Sequence, residues 1–400
     1  MKRPFSLRAT ASLPLVAAAT ALIAATYGLV RLAYGLFLPD VERDLALGVA
    51  TAGVVSAGAS VVYCAGALVG FLLAARHARA LVLAAALSAA VGAAGMALAP
   101  TAGWFAAFAI AGSAGAGLAS PALVAVLQRD PSTRRSLRAQ AIVNAGTGPG
   151  LVAAGVLALV LLPDWRLGWG IAAAVTVVVA GAVLLADRGD AGDHGEAGTD
   201  DAGPRQPLPP ASWYSAHRGV LLAALLMGVG SAAVWTYGRT FLVASGASEP
   251  VSVAAWIALG VGGTAVIGTA KGIERHGPRA AWALTAGVIA VSSAVLAVGA
   301  GNAPIVLAAC AAFGWGYTAG SGALIAWTAR IDAPRAPAGT ALLFVTLILG
   351  QALGAAAFGA LISAAGEAAA FLAAAGASAL AAAPALLAVS RGGVPRPARP

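Results

Sequence analysis

Charge is what this sequence has least of. Only 10% of its 400 residues are Asp, Glu, Lys or Arg, whereas a soluble domain keeps roughly a quarter of its residues charged so that its surface can face water. With 60% apolar residues and a mean hydropathy of +0.88, the chain cannot clothe a globular surface. Cysteine is nearly absent too. Cys64 and Cys310 lie inside apolar runs far apart in sequence and read as small buried residues, not as a disulfide or metal pair. Histidine is as scarce: His77, His194, His217 and His276 all read as connector residues. No intramembrane metal cage or Ser–His hydrolytic pair is visible, so neither an enzyme nor a cofactor is expected. The net charge of +9 has no basic soluble domain to carry it, which excludes a nucleic-acid partner.

What the sequence does have is long apolar runs. They read as spans 13–38, 50–74, 80–99, 103–127, 139–162, 168–186, 219–244, 251–270, 280–299, 304–328, 338–363 and 367–389, each near the roughly 20 residues a helix needs to cross hydrocarbon. None alternates with period two, so these are helices and not strands of a membrane barrel. The first run follows Lys2, Arg3 and Arg8 like a signal peptide, but it continues through Tyr34 to Leu38, too long for a cleaved segment. The expected fold is an all-α membrane protein of twelve transmembrane helices in two pseudo-symmetric six-helix bundles.

An even helix count puts both termini on one side. On that assignment, 20 of the 24 Lys and Arg residues fall on the terminus side, only Arg43 and Arg166 fall opposite, and Arg31 and Arg239 lie within helices. Such a bias marks the terminus side as cytoplasmic, in a multi-pass protein of the inner membrane. Residues 187–217, DRGDAGDHGEAGTDDAGPRQPLPPASWYSAH, have the acidic, Gly- and Pro-rich composition of a flexible cytoplasmic linker. It separates a bundle of residues 1–186 from one of 218–400. The halves echo each other: Arg76-His77-Ala78-Arg79 recurs as Arg275-His276-Gly277-Pro278-Arg279, and Arg129-Asp130-Pro131 loosely as Arg330, Asp332 and Pro334. Six helices return the chain to its starting side, so the repeat is parallel. Gly66 with Gly70, Gly146 with Gly150, Gly316 with Gly320, and Gly350 with Gly354 have the four-residue spacing that lets helix backbones approach.

On these features the chain resembles the major facilitator superfamily. Helix one closes in YGLVRLAYGLFLPDVERDL, similar to the family's helix ending with Leu-Pro and an acidic turn. Within that stretch, Arg31-Leu32-Ala33-Tyr34 and Leu38-Pro39 look like the poorly characterised bacterial YbfB-like branch. Gly268, Glu274, Arg275, Gly277 and Arg279 resemble the family's gating loop between helices eight and nine. The first-half loop keeps Gly70, Arg76 and Arg79 but has Ala75 where the pattern has an acid. Asn144 and Gly148-Pro149-Gly150 resemble the Gly-Pro element of exporters in helix five, with Val152 and Ala153 in place of its later glycines. The resemblance implies alternating access by a monomer that moves a small solute, with protons as the family's usual energy source. The helix-five element tilts the reading to export by antiport.

By the spans above, no acid lies inside the membrane. Two cations do, and an arginine at the bilayer centre costs about 2.5–3.5 kcal/mol even on a mild insertion scale, so it is expected to face a cavity or a partner. Tyr27, Arg31 and Tyr34 share one helical face, as do Ser231, Trp235 and Arg239. The resemblance places helices one, four, seven and ten around the central cavity, where Trp315, Tyr317, Thr318 and Ser321 also fall. The expected solute site is therefore Arg31, Tyr27, Tyr34, Arg239, Trp235, Trp315 and Tyr317, suited to anionic or zwitterionic solutes. The opposing reading is that each arginine snorkels or bonds backbone carbonyls. Asn144 and Gln351 read as amides that join helices. Three readings of the coupling stay open: Asp40, Glu42 or Asp44 at the outer mouth carries the proton, Asp40 being nearest to helix one; the solute carries it as a protonated anion; or transport is uncoupled. A membrane sensor or scaffold that keeps this fold without transport is the alternative. A reporter that is active only outside the cytoplasm is expected to work when inserted at Asp164 and to fail when inserted in 187–217.

Overall fold

The computed structural model describes residues 13–130, 133, 137–187 and 209–390. Lys2, Arg3, Arg8, most of the acidic linker and the basic carboxyl tail lie outside the described residues. Within them the regular structure is helical. In chain order α1 is Leu13–Leu45, α2 is 49–76 and α3 is 78–97. The helix Val49–Ala97 carries a single non-helical residue, His77, with φ −129° and ψ 34°. Its 49 residues are more than twice what one crossing takes, so that bend separates two crossings. Next come α4 (Ala102–Arg129), α5 (Leu137–Asn144 continued by Thr147–Leu161), α6 (Trp165–Ala186) and α7 (Ala211–Ala244). The remainder are α8 (Glu249–Glu274), α9 (Pro278–Gly299), α10 (Ala303–Ile331), α11 (Ala336–Ala365) and α12 (Glu367–Leu380 continued by Ala383–Ser390). Among the described residues, eleven continuous helices are long and apolar enough to cross a membrane, and the bend at His77 makes twelve crossings of them.

Two features depart from the sequence reading. Helix α1 does not stop at Leu38: it runs through Pro39 to Leu45, which places Asp40, Glu42 and Asp44 on the helix itself. An interior proline removes one N–H and crowds the carbonyl one turn back, a disturbance that membrane helices tolerate where neighbouring groups re-satisfy the freed backbone. Helix α7 starts at Ala211, so His217, expected in a connector, is a helical and buried residue.

Two compact units emerge. Among the described residues, the first gathers α1 up to Arg31, 62–130, 133, 137–150, 166–187 and 209–216. Its core packs Leu15, Leu22, Leu81, Leu123, Leu127 and Val183. The second gathers Leu32–Val61, Leu151–Trp165 and 217–390, around Trp256, Trp282, Phe313 and Phe371. Large apolar side chains such as Leu72, Leu98, Leu185 and Val298 stay exposed, as suits surfaces solvated by lipid tails.

Lipid is as apolar as leucine, so helices associate through close backbone contact instead of hydrophobic exclusion. The paired glycines serve that end. A Cβ on Gly150 would stand 2.5 Å from the Ala24 carbonyl oxygen of α1, and one on Gly354 2.5 Å from the Val229 carbonyl oxygen of α7. Gly150→Val is expected to lower thermal stability in detergent by about 1–3 kcal/mol through overpacking. Gly170→Ala, where a Cβ meets open space, should change it little.

Candidate functional site

The amino-terminal unit brings Tyr27 and Arg31 together around a residue the sequence reading missed. From Ala24 to Leu32, α1 is π-helical, the wider turn that often marks functional stretches of a helix. The guanidinium of Arg31 lies 4.7 Å from the ring centroid of Tyr63 on α2, within range of a cation–π attraction. The Tyr63 hydroxyl meets that of Tyr27. Tyr34 does not join them: the wider turns move it off their face, and its hydroxyl donates to the Ala52 carbonyl in the other unit. The helix-five element backs this cluster, since Gly146 and Gly150 sit against Thr20 and Ala24 of α1. Asn144, by contrast, is exposed.

In the second unit Arg239 is almost fully buried and already engaged. Its guanidinium pairs with Asp40, donates to the Leu36 carbonyl at 2.7 Å and donates to the Ser252 hydroxyl at 3.2 Å. Both side chains of the ion pair are 3% exposed or less. The second cation expected to face solute thus ties α1 to α7 and α8. Asp40 also accepts from Arg43 at 3.2 Å, and Asp44 accepts from Trp165 at 2.8 Å. Around this pair, Thr240 donates to Glu42 at 3.2 Å, Ser56 bonds Thr236 at 3.0 Å, and Tyr237 donates to the Ala355 carbonyl at 2.8 Å. A Cβ on Gly53 would come 2.5 Å from that same carbonyl. At the end away from the termini, α1, α2, α7, α8 and α11 are therefore closed on one another.

Trp235 belongs to an aromatic cluster. Edge-to-face contacts join it to Trp256 (6.2 Å between centroids), Phe313 (5.7 Å) and Tyr317 (5.2 Å). Gln351 donates to the Tyr317 hydroxyl at 3.0 Å, the helix-joining role expected of it. Trp315 turns elsewhere and donates to Thr269 at 2.8 Å. Trp256 and Phe313 carried no signal in sequence, because nothing local marks an aromatic as a neighbour of one tens of residues away.

At the other end of the helices, Arg79 has an acid after all. Its Nε lies 3.5 Å from Asp187, and it donates to the Leu184 carbonyl at 3.1 Å. Both partners lie at the carboxyl end of α6. Asp187 thus supplies from a distance the carboxylate missing at Ala75. Gly70 packs against Pro121 of α4, and Arg76 is exposed. In the second half, Gly277 takes φ +71° at the start of α9, a left-handed conformation natural to glycine. The Arg279 guanidinium lies 5.5 Å from the Trp327 ring centroid. Gly268 and Arg275 are exposed, and the side chain of Glu274 lies outside the described residues. Among the described residues no three His, Cys, Asp or Glu side chains converge as a metal site.

Comparison with known proteins agrees with this architecture. The Major Facilitator Superfamily signature matches residues 20–331, and the chain belongs to that family. No curated relative matches the sequence. Its fold is similar to that of the nucleoside transporter NupG, with a TM-score of 0.75 at 14% identity over 94% of this chain and 98% of that one. A mutant form of a peptide transporter, POT, gives 0.75 at 13% identity over 94% of each chain. A bacterial homolog of the human lysosomal transporter Spinster, in an inward-facing and occupied conformation, gives 0.70 at 16% identity over 98% of each. The family identifies a membrane transporter and not an enzyme.

Removing one partner of a buried ion pair strands the other charge. Asp40→Asn is therefore expected to lower stability in detergent by about 3–5 kcal/mol. Combining it with Arg239→Met should recover much of the loss, as read from thermal unfolding of the purified variants.

Proposed function

We propose that the protein is a secondary active transporter that moves a small anionic or zwitterionic organic solute by alternating access. The observation that carries this reading is the Arg31 guanidinium, held over Tyr63 in the π-helical stretch of α1 beside the linked hydroxyls of Tyr27 and Tyr63. A cation kept within the membrane by aromatic faces is suited to a carboxylate or phosphate, which it can bind by charge-assisted hydrogen bonds. Within the second unit, Trp235 and Tyr317, clustered with Phe313, remain proposed solute contacts of that unit. Arg239 is assigned to closing the far end of the helices, with Asp40 as its counter-ion. The two halves, 1–186 and 218–400, would move against each other as parallel repeats, with both termini in the cytoplasm of the inner membrane.

The glycine-rich contact of α5 on α1 supports export, and proton antiport is the proposed energy source. The stretch from Tyr27 to Asp44 supports the YbfB-like branch. The solutes of NupG and POT, nucleosides and peptides by their names, widen the range worth assaying. A non-transporting sensor with this fold drew support from the missing acid at Ala75. With Asp187 beside Arg79 in the structure, that support is weaker.

The test is flux in proteoliposomes with a panel of anionic and neutral organic solutes. Arg31→Leu is expected to cut anion flux about tenfold or more, the worth of one charge-assisted contact, and to spare neutral solutes. Undiminished anion flux would refute the cationic site.

A further inference from the structure

Asp40 and Glu42 stand two residues apart on α1, yet their surroundings are opposite. The carboxylate of Asp40 has two guanidinium partners, Arg239 and Arg43. That of Glu42 has one neutral donor, the Thr240 hydroxyl on Oε2, at 3.2 Å. Its Oε1 is shut off from solvent and accepts no hydrogen bond. The charged and titratable groups that face Glu42 offer no positive charge of their own. From α12 comes the like charge of Glu367. From α7 comes the Tyr237 phenol, whose hydroxyl is already given to Ala355; Arg239, also on α7, is taken by Asp40, Leu36 and Ser252. On α1 itself Tyr34 donates to Ala52, and Arg43 turns to Asp40 and Asp44.

A carboxylate oxygen buried without a donor is a costly group, while a carboxylic acid in the same place carries its own O–H and no net charge. We propose that Glu42 is the proton-binding group of the closed end. Protonated, it lets α1 seat against Thr240 and Glu367. On losing its proton to the outer solution it becomes a second unneutralised carboxylate beside Glu367, and α1 and α2 part from α7, α11 and α12. Asp40, held by Arg239 and Arg43, is the fixed half of the ion pair. The coupling proton is thus placed on α1 eleven residues after Arg31, about three turns along the chain, and not on the solute-binding residues. This assignment rests on the transporter reading for its purpose, but its test needs no solute.

The reporter is Ser56→Cys, whose native hydroxyl bonds Thr236 on α7. It is built into the full-length chain with Cys64→Ala and Cys310→Ala and reconstituted in liposomes. A membrane-impermeant maleimide is applied from the non-cytoplasmic side. Because maleimide reacts with the thiolate, labelling is expressed relative to that of the denatured protein at the same pH; with Glu42 intact this ratio is expected to rise about fivefold or more from about pH 5.5 to about pH 8, as the open population grows. With Glu42→Gln, which cannot ionise, labelling should stay at the acidic level at both pH values. Thr240→Val removes the one donor to Oε2, so opening should require a higher pH, an independent check should Glu42→Gln fold poorly. The proposal is overturned if Glu42→Gln keeps the parental pH profile, or if the parent shows none. A protein that opens with pH but moves no solute would defeat the transport reading and leave this assignment standing.

Discussion

A hydrocarbon solvent offers nothing to a charge or to an unpaired backbone group, and the arrangement of this protein follows from that refusal. Helices satisfy the backbone internally. The few ionic side chains drawn into the protein find company there: Arg31 over an aromatic face, Arg239 against Asp40, Asp187 against Arg79. Water is not present to push helices together, so contact depends on how closely backbones can approach. Glycines such as Gly150 and Gly354, each facing a carbonyl of the neighbouring helix, set that distance.

These constraints explain what was legible in the sequence. Each crossing declares itself, because roughly 20 apolar residues in succession have few other uses. The distribution of arginine gives an independent count of the crossings. The resemblance to the major facilitator superfamily was visible in the loop and helix-one motifs, and the family match agrees with it. Pairings between distant helices were not legible. Asp187 is an ordinary helix-end acid in the sequence, and nothing local connects it with Arg79, 108 residues earlier. Arg239 read as a free cation because its partner, Asp40, was placed beyond the end of a helix that in fact continues through Pro39.

The difference between Arg31 and Arg239 is instructive. By sequence they are equivalent, each the lone cation of a corresponding helix and each spaced to share a face with aromatics. The structure gives them different chemistry. One is stacked on a neutral ring. The other is neutralised by a carboxylate and holds two further acceptors. The same residue type at matching positions thus makes an aromatic contact in one helix and an ionic tie between helices in the other.

The π-helical stretch Ala24–Leu32 acts within α1 as a dislocation does within a crystal row: it adds a residue without breaking the rod. Residues beyond the fault therefore face a different way around the axis from those of an unbroken α-helix of the same length. The bearing of Arg31 on its neighbours is set by that offset as much as by its place in the sequence.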